Sequence, residues 1–466
     1  MRRLLAFVAL AILVVAAAML ADYPGTVDIT WQGWEIDTSV GVLIAAVAVL
    51  AVVLWLALLL LGGLMQLPGR FRRNRRDRRR RSGELALTRG MVALTAGDAA
   101  AAQRYATRAE ALLGDTPLTL MLAAQAAELG GDEDAARRRY TALLDEKEAA
   151  FFGLRGLIGQ ALRDGEGEQA LRLAARARGL RPNASWAFEM LFALQIRAGH
   201  WEAARETLAD AGRRHLLPAA RAEHQRGIIL YKLSRAAEHE GERRRAVALA
   251  ASAQALARDL PAPAARHARL LLADDRRRAA RRVVEQAWQL APHPELAAVW
   301  GELGGGAPAL ELMTWFEKLA AHNPASAESA IAVAEVALAA QLWGEARRHL
   351  GQAIAAQPDG PSRRVCLLMA RLEESEHPLA GGARDWFDRA LAAPDATYVC
   401  ARCGAESAAW NALCGHCRGF DTLVWRVPAP VAAGGALSVP ALEAAPLPLI
   451  PGFAIPSLAA AGQSDR

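Results

Sequence analysis

The sequence predicts an all-α protein in which two membrane-spanning helices precede a long array of helical repeats. Three observations lead to this fold class. The 466 residues are 53 % hydrophobic but only 6 % aromatic, and the strong helix formers Ala and Leu supply most apolar positions. Two long apolar runs lie near the N-terminus, and small turn residues recur at a fixed spacing through much of the remaining chain.

Residues 1–69 are expected to form the membrane end. Residues 4–21 contain no charge and follow Met1-Arg2-Arg3, and residues 40–67 form a longer run broken only by glycines and Gln66. Either run can cross a hydrocarbon core of about 30 Å at about 1.5 Å per residue. The alternative for the first run is a cleavable signal peptide, because it has a short basic start and small residues near its end.

Residues 25–39, between the two runs, predict a short periplasmic β-hairpin. Apolar and polar residues alternate up to Trp31, and Gln32-Gly33 has the composition of a two-residue turn. This register would place Trp31 opposite Trp34.

An Arg-rich collar, residues 70–82, follows the second run. The stretch RFRRNRRDRRRR holds nine Arg, and such flanks stay in the cytoplasm. Everything after it is therefore predicted to be cytoplasmic. The collar is expected to contact anionic lipid headgroups; a docking site for a partner is an alternative. Nucleic acid is not an expected partner, because the collar is held at the membrane.

Residues 83–395 predict about nine helical repeats. Glycines in turn signals lie 34 residues apart, and alanines repeat at the same step. The glycines are Gly97, Gly131, Gly165 and Gly199, and the alanines are Ala102, Ala136, Ala170 and Ala204. A 34-residue period with a central turn is typical of tetratricopeptide repeats, which form an α-solenoid whose groove binds partner proteins.

Two stretches depart from the period. A charged insertion lengthens the unit around residues 227–246, and Gly304-Gly305-Gly306 is interpreted as a loop between repeats. Six tryptophans within the repeats are interpreted mainly as packing residues: Trp186, Trp201, Trp288, Trp300, Trp315 and Trp343.

Residues 396–427 predict a small zinc-knuckle or rubredoxin-like segment. The spacing C-x2-C-x10-C-x2-C can place four thiolates around one ion, and these are Cys400, Cys403, Cys414 and Cys417. Four Cys ligands close the coordination shell, so the metal is expected to be structural; zinc is favoured and iron is the alternative. Gly404 and Gly415 are expected to provide the unusual backbone angles of the knuckle turns. The segment is expected to pack on the last repeat or to form a second docking surface.

Residues 428–466 are rich in Pro and Ala and lack periodicity, so they predict a disordered tail.

The N-terminal pattern resembles a known family. The motif G-x-V-x-I-x-W-x-G-W-x-I-D-T-S at residues 25–39, followed by a basic stretch and repeats, is similar to HemY-type inner-membrane proteins, over roughly residues 1–395. This resemblance implies a multi-pass protein of the bacterial inner membrane, associated with late haem biosynthesis as a partner of its enzymes. It implies no catalysis, and no G-x-G-x-x-G motif follows a strand to support a flavoenzyme.

The C-terminal segment points to a different family. Its four cysteines are similar to the rubredoxin-like knuckle of LapB-type proteins. This resemblance implies a membrane-anchored adaptor that couples lipopolysaccharide synthesis to proteolysis. The sequence thus predicts a non-enzymatic inner-membrane scaffold for haem-biosynthesis enzymes, with a LapB-like adaptor as the alternative.

Overall fold

The computed structural model describes residues 26–31, 34–358, 360–378 and 381–428. The first predicted span, residues 4–21, and nearly all of the predicted tail lie outside these residues. The chain divides into two compact units, residues 1–136 and 137–466. The predicted mostly helical fold is confirmed, with eighteen α-helices in the described residues.

The N-terminal unit begins with a hairpin. Strands β1 (Thr26–Trp31) and β2 (Trp34–Ser39) pair antiparallel, and the register sets Trp31 opposite Trp34, as the turn composition predicts. Helix α1 (Val40–Thr95) follows directly and is 56 residues long, about 84 Å at about 1.5 Å per residue. Its Val40–Ala57 segment is the one stretch within the described residues that is long and apolar enough to cross a membrane.

Helix α1 continues through the Arg collar into the repeats. Its C-terminal part packs on α2 (Ala99–Leu113) and α3 (Pro117–Leu129). Gly90 of α1 lies against α3 so closely that an added Cβ would meet Leu122 Cδ2 at 2.6 Å. The first helix of the array and the apolar segment are therefore one uninterrupted element.

The remaining helices lie wholly or mainly in the C-terminal unit. They are α4 (Glu133–Ala142), α5 (Ala150–Arg163), α6 (Gly167–Leu180), α7 (Ser185–Ala198), α8 (Trp201–Arg213), α9 (Ala219–His239), α10 (Arg243–Leu256), α11 (Pro261–Ala273), α12 (Arg277–Leu290), α13 (Pro294–Gly304), α14 (Ala309–Ala320), α15 (Ala327–Ala339), α16 (Trp343–Ala355), α17 (Arg363–Glu376) and α18 (Gly382–Ala392). A short 3₁₀ turn, Leu143–Asp145, follows α4. Counted along the chain, odd-numbered and even-numbered helices are the first and second members of nine successive pairs.

A left-handed residue lies in the turn inside every one of the nine pairs. Glycine fills this position at residues 97, 131, 165, 199, 241, 305, 306 and 381, and Asp275 and Gln341 adopt the same conformation. The amide after the left-handed residue typically bonds back five residues, as from Glu166 to the Ala161 carbonyl at 2.8 Å. This bond closes the C-terminus of the first helix in the way of a Schellman motif.

The structure locates both departures from the period. The insertion predicted near residues 227–246 lengthens a helix, because α9 is 21 residues long. Gly304 ends α13, and Gly305 and Gly306 lie between α13 and α14, which are the two helices of one pair, so the prediction of a loop between repeats is wrong.

Close approach of the helices explains the small residues at the 34-residue step. Ala170 and Ala177 of α6 are completely buried. In α5, a Cβ added to Gly156 would lie 2.4 Å from the Tyr140 ring. Larger side chains at such positions would force the packed helices apart.

Substituting Gly165 and Gly167 separately should give opposite results. Neither residue has a neighbour within 4 Å of an added Cβ, but Gly165 has a φ of +76°. We expect Gly165→Ala to weaken the α5–α6 pair by about 1 kcal/mol, because an L-residue is strained there. Gly167→Ala should be neutral or stabilising by about 0.5 kcal/mol. Hydrogen exchange of the α5 and α6 amides measures both, and equal effects would contradict the backbone argument.

Candidate metal centre and its contacts with the repeats

The four predicted cysteines come together at one point. Cys400 ends strand β3 (Thr397–Cys400), and Cys403, Cys414 and Cys417 lie in the loops that follow. All four sulfur atoms lie within 4.8 Å of one another. The Cys400–Cys417 and Cys403–Cys414 sulfur pairs are each 3.7 Å apart.

The four thiols lie on two loops that have similar backbone conformations. In the first loop the Cys400 amide donates to the Ala405 carbonyl, and in the second the Cys414 amide donates to the Gly419 carbonyl, both at 2.9 Å. A left-handed residue follows each C-x2-C pair: Gly404 has φ +72° and Arg418 has φ +54°. The expectation of an unusual backbone angle is confirmed for Gly404. Gly415 has no positive φ, and Arg418 adopts the left-handed conformation in the second loop instead.

A three-stranded sheet supports the loops. Strand β3 lies between β4 (Glu406–Ser407) and β5 (Leu423–Arg426), antiparallel to both. Tyr398, Trp410 and Leu423 are buried beneath the thiols. This core is small, so cross-linking by a metal would supply much of the segment's stability.

The donor set fits a single tetrahedral ion. Zinc–sulfur bonds of about 2.3 Å place neighbouring sulfurs about 3.8 Å apart, close to the two separations of 3.7 Å. Burial raises the pKa of Cys403 to about 12. Burial also opposes ionisation of Cys400, but the Thr422 hydroxyl and nearby amides outweigh it and lower the pKa to about 6. A cation among the sulfurs would offset the burial of four thiolates.

The four-Cys segment, residues 397–426, packs on the middle of the array. Phe420 contacts Phe192 of α7 with ring centroids 5.7 Å apart, and Trp410 contacts Tyr231 of α9 at 5.3 Å. Further apolar contacts reach Ala262 of α11. Pairs four to six therefore carry the segment on their first helices, and the expectation that it packs on the last repeat is wrong.

His293, which caps α13 of pair seven, joins the segment to the array. Burial lowers the pKa of this imidazole to about 4, with a smaller effect from Arg364, so the ring is neutral. Its Nδ1 accepts from the Glu295 amide at 3.1 Å. Nε2 therefore carries the proton and donates to the Tyr398 hydroxyl at 3.1 Å, while Trp425 meets the ring edge-on at 4.4 Å.

His224 of α9 bridges the array and the segment through two carboxylates. Its Nδ1 lies 3.1 Å from Asp259, and its Nε2 lies 3.2 Å from Asp421. The hydrogen bonds to Asp259 and Asp421, in that order, raise the pKa of His224 to about 10. The ring is thus charged at neutral pH and holds the loop that carries Asp421 against α9.

The His224 bridge predicts loss of stability at alkaline pH. Because the folded pKa lies above the ordinary value of 6.5, the stabilisation is full below about pH 6.5 and is lost as the pH rises towards 10. We expect the melting temperature of the wild type to fall over this window and that of His224→Gln to fall less. His239→Gln, at the exposed end of the same helix, is the control and should keep the wild-type slope. Identical slopes for the wild type and His224→Gln would refute the bridge.

The six tryptophans interpreted as packing residues differ in burial and in the surfaces that they contact. Trp288 and Trp300 are completely buried, Trp186 packs edge-on against Phe151, Trp343 is half-buried beside α15, and Trp201 lies against the four-Cys segment. Trp315 stacks on Trp300. The packing role predicted for these residues is therefore observed for most of them, and Trp201 also faces a site. His224 and His293 were not identified from the sequence, because their partners Asp421 and Tyr398 lie 197 and 105 residues away.

Comparison with known families defines the N-terminal part. Residues 25–131 match the family described as HemY protein N-terminus. These residues form a HemY N-terminal domain. The match includes the hairpin, α1 and the first helices of the array, so the resemblance of residues 25–39 to this family is confirmed.

A relative covers most of the chain. "Probable magnetosome protein Mms48" of Magnetospirillum gryphiswaldense is 28% identical over 422 residues, which are 88% of this chain and 90% of the relative. The two chains thus align over most of their lengths.

Solved structures show more distant similarity. A tetratricopeptide repeat protein from Parabacteroides merdae is 13% identical, with a TM-score of 0.29 over 67% of this chain and 99% of that one. Naa15/Naa10 bound to HypK-THB is 13% identical with a TM-score of 0.32, and the match covers 66% of this chain and 58% of that one. The present chain thus spans little more than half the length of the latter.

Proposed function

We propose that this protein is a non-enzymatic adaptor that holds partner proteins at the bacterial inner membrane. The observation that carries the proposal is the continuity of α1, which joins an apolar segment of membrane-spanning length to the first repeat helix. A rigid helix of this kind would keep the array close to the bilayer. Helical-repeat arrays serve chiefly as binding surfaces for proteins and peptides.

The Arg collar supports the proposed orientation, and the HemY N-terminal domain supports the proposed partners. The nine Arg of residues 70–81 favour a cytoplasmic array and contact with anionic lipid, and residues 4–21 would supply a second span. The HemY N-terminal domain supports association with late haem biosynthesis, with enzymes of that pathway as partners. The four cysteines would hold a structural zinc, or iron in its place, because their shell leaves no position for a reacting water.

A second function is favoured by the four-Cys segment. The segment packs on first helices α7, α9 and α11, where it would form part of a binding surface for partners. That arrangement suits a LapB-like adaptor, in which the segment would help to select a protease or a lipopolysaccharide-synthesis enzyme.

Crosslinking in intact cells tests these functions. The full-length protein is purified from membranes after crosslinking, and the captured proteins are identified by mass spectrometry. The control keeps residues 1–95 but replaces the rest with an unrelated soluble protein. Specific recovery of ferrochelatase or coproporphyrinogen-oxidising enzymes would support the haem-pathway scaffold. Recovery of a membrane protease with a lipopolysaccharide-synthesis enzyme would support the second function, and recovery no greater than the control would refute the adaptor.

Reporter fusions test the orientation separately. A reporter that is active only in the cytoplasm should be active when it is joined after residue 82. Activity of a periplasmic reporter at the same position would refute the proposed topology.

A further inference from the structure

A cavity of about 490 Å³ lies between the four-Cys segment and the fourth helix pair. The array contributes the end of α7, the start of α8 and part of α9, and the segment contributes Ser407, Asn411 and the second cysteine loop. The polar and aromatic lining residues are Arg197, Trp201, Lys232, Ser407, Asn411 and Arg418. Both parts are needed to form the walls, so the cavity exists only while the segment is docked.

The lining is cationic and has no carboxylate. Arg197, Lys232 and Arg418 all face the cavity, and none of them pairs with an Asp or Glu in the part of the chain that the structure describes. Burial and then the charges of Arg402 and Arg418 lower the pKa of Arg197. Burial and then Arg235 and Arg418 lower the pKa of Lys232. Uncompensated positive charges therefore lie close together, which is unfavourable until an anion enters.

The metal centre accounts for only part of this charge. Four thiolates around a divalent ion carry a net charge of about −2, and Cys417 is close enough to favour the charged form of Arg197. Five cations lie in this region, namely Arg197, Lys232, Arg235, Arg402 and Arg418. An excess of positive charge therefore remains, which neighbouring carboxylates would neutralise.

We propose that this cavity binds neighbouring carboxylates of an acidic peptide segment in a partner protein. The guanidinium groups of Arg197 and Arg418 suit bidentate contacts with carboxylates, and Lys232 adds a point charge. The side-chain amide of Asn411 can donate a hydrogen bond that fixes orientation, whereas the Ser407 hydroxyl already donates to the Ala409 carbonyl at 2.7 Å. The indole of Trp201, which Lys232 approaches to 5.5 Å, offers an apolar wall for an adjoining side chain.

The position of the cavity favours a peptide over a free anion. It lies beside first helices α7 and α9, where helical-repeat arrays accept extended segments. Its volume is within the range of sites that enclose small ligands, so it would hold a short stretch of chain and not a folded surface. The inference rests on the proposed adaptor function and specifies the chemistry of its partner.

Peptide binding to the full-length, zinc-loaded protein in detergent tests the site. The probe is a fluorescein-labelled peptide of six glutamates, and its matched control has six glutamines. We expect the glutamate probe to bind at least about tenfold more tightly and to lose affinity as salt rises from about 50 to 500 mM. R197Q/K232Q should weaken it about tenfold or more. R278Q/R282Q, which removes two exposed arginines of α12, should leave binding unchanged, and equal weakening by the two double variants would overturn the proposal.

Two further measurements complete the test. R197Q/K232Q must retain its zinc and helical circular dichroism, so that lost binding reports the cavity; loss of either would be followed by the single variants K232Q and R197Q. Competition by inorganic phosphate as effective as by unlabelled peptide would overturn the peptide assignment in favour of a small-anion site. If R197Q/K232Q still crosslinks the partners of the wild type in cells, the adaptor function stands and the acidic-peptide site is wrong.

Discussion

Removal of the metal from the full-length protein is expected to unfold residues 397–426 while the helix pairs stay folded. The segment has three short strands and a few buried side chains, which cannot by themselves order a chain of this size. Metal binding in small four-ligand sites has an apparent free energy of about 10–16 kcal/mol at neutral pH. Hydrogen exchange followed by mass spectrometry, before and after chelation, should show near-complete loss of protection in this segment.

The surfaces beneath the segment should respond to the same treatment. Phe192, Tyr231 and His293 lose their aromatic contacts with the segment when it detaches, although Phe192 keeps its stacking on Phe188. Helices α7 and α9 should exchange faster at these positions but remain helical, because their other faces pack on α8 and α10. Far-UV circular dichroism should therefore change little.

Cysteine variants provide matched controls for metal removal. C400S/C414S should abolish metal binding and reproduce the effect of chelation. C366S should retain the metal, because Cys366 is buried in α17 and lies outside the cluster. Full protection of residues 397–426 in protein shown by elemental analysis to be metal-free would contradict the expected role of the ion.

The repeat period could be predicted because a backbone requirement determines a residue type. The turn inside each pair needs a left-handed residue, and glycine adopts that conformation without strain, so glycines mark four successive turns. The same turn is made by Asp275 and Gln341 in later pairs. These residues carry no glycine signal, and non-glycine residues are uncommon in this conformation. The sequence therefore indicates about nine repeats, but the left-handed turn at Asp275 and Gln341 is visible only in the structure.

The position at which the four-Cys segment docks on the array could not be predicted from the sequence. The spacing of the cysteines identifies the cluster, because its geometry is set within a few residues of chain. The contacts that dock it, such as His224 with Asp421 and His293 with Tyr398, join residues far apart in sequence and follow no periodic pattern. Proximity in sequence favoured the last repeat, whereas complementary aromatic and charged groups place the segment on the middle pairs.

The continuity of α1 was also hidden in the sequence. The change from an apolar run to an Arg-rich run suggested a boundary near residue 70. Arg is nearly as good a helix former as Leu, so a change of polarity alone does not end a helix. The exposed arginines from Arg75 to Arg81 continue the same helix into the first pair.

Trp300→Ala should produce a large local loss of stability in the seventh pair. Trp300 is completely buried and stacks on Trp315 with ring centroids 4.4 Å apart. Each indole also donates to the carbonyl of the other residue, at 2.9 and 3.0 Å. Truncation leaves a cavity and a buried carbonyl without its donor, for which we expect a loss of about 3–5 kcal/mol.

Native-state hydrogen exchange of the α13 and α14 amides measures this loss where it occurs. Leu310→Ala is the matched control in the same pair, because Leu310 is 66% exposed and should change stability by less than about 0.5 kcal/mol. Trp315→Phe keeps a ring but removes one donor, and should cost about 1 kcal/mol or somewhat more. Because each pair of an array contacts mainly its neighbours, exchange in α5 and α6 should stay unchanged. An effect of Trp300→Ala no greater than that of Leu310→Ala would show that the stacked indoles do not hold the seventh pair together.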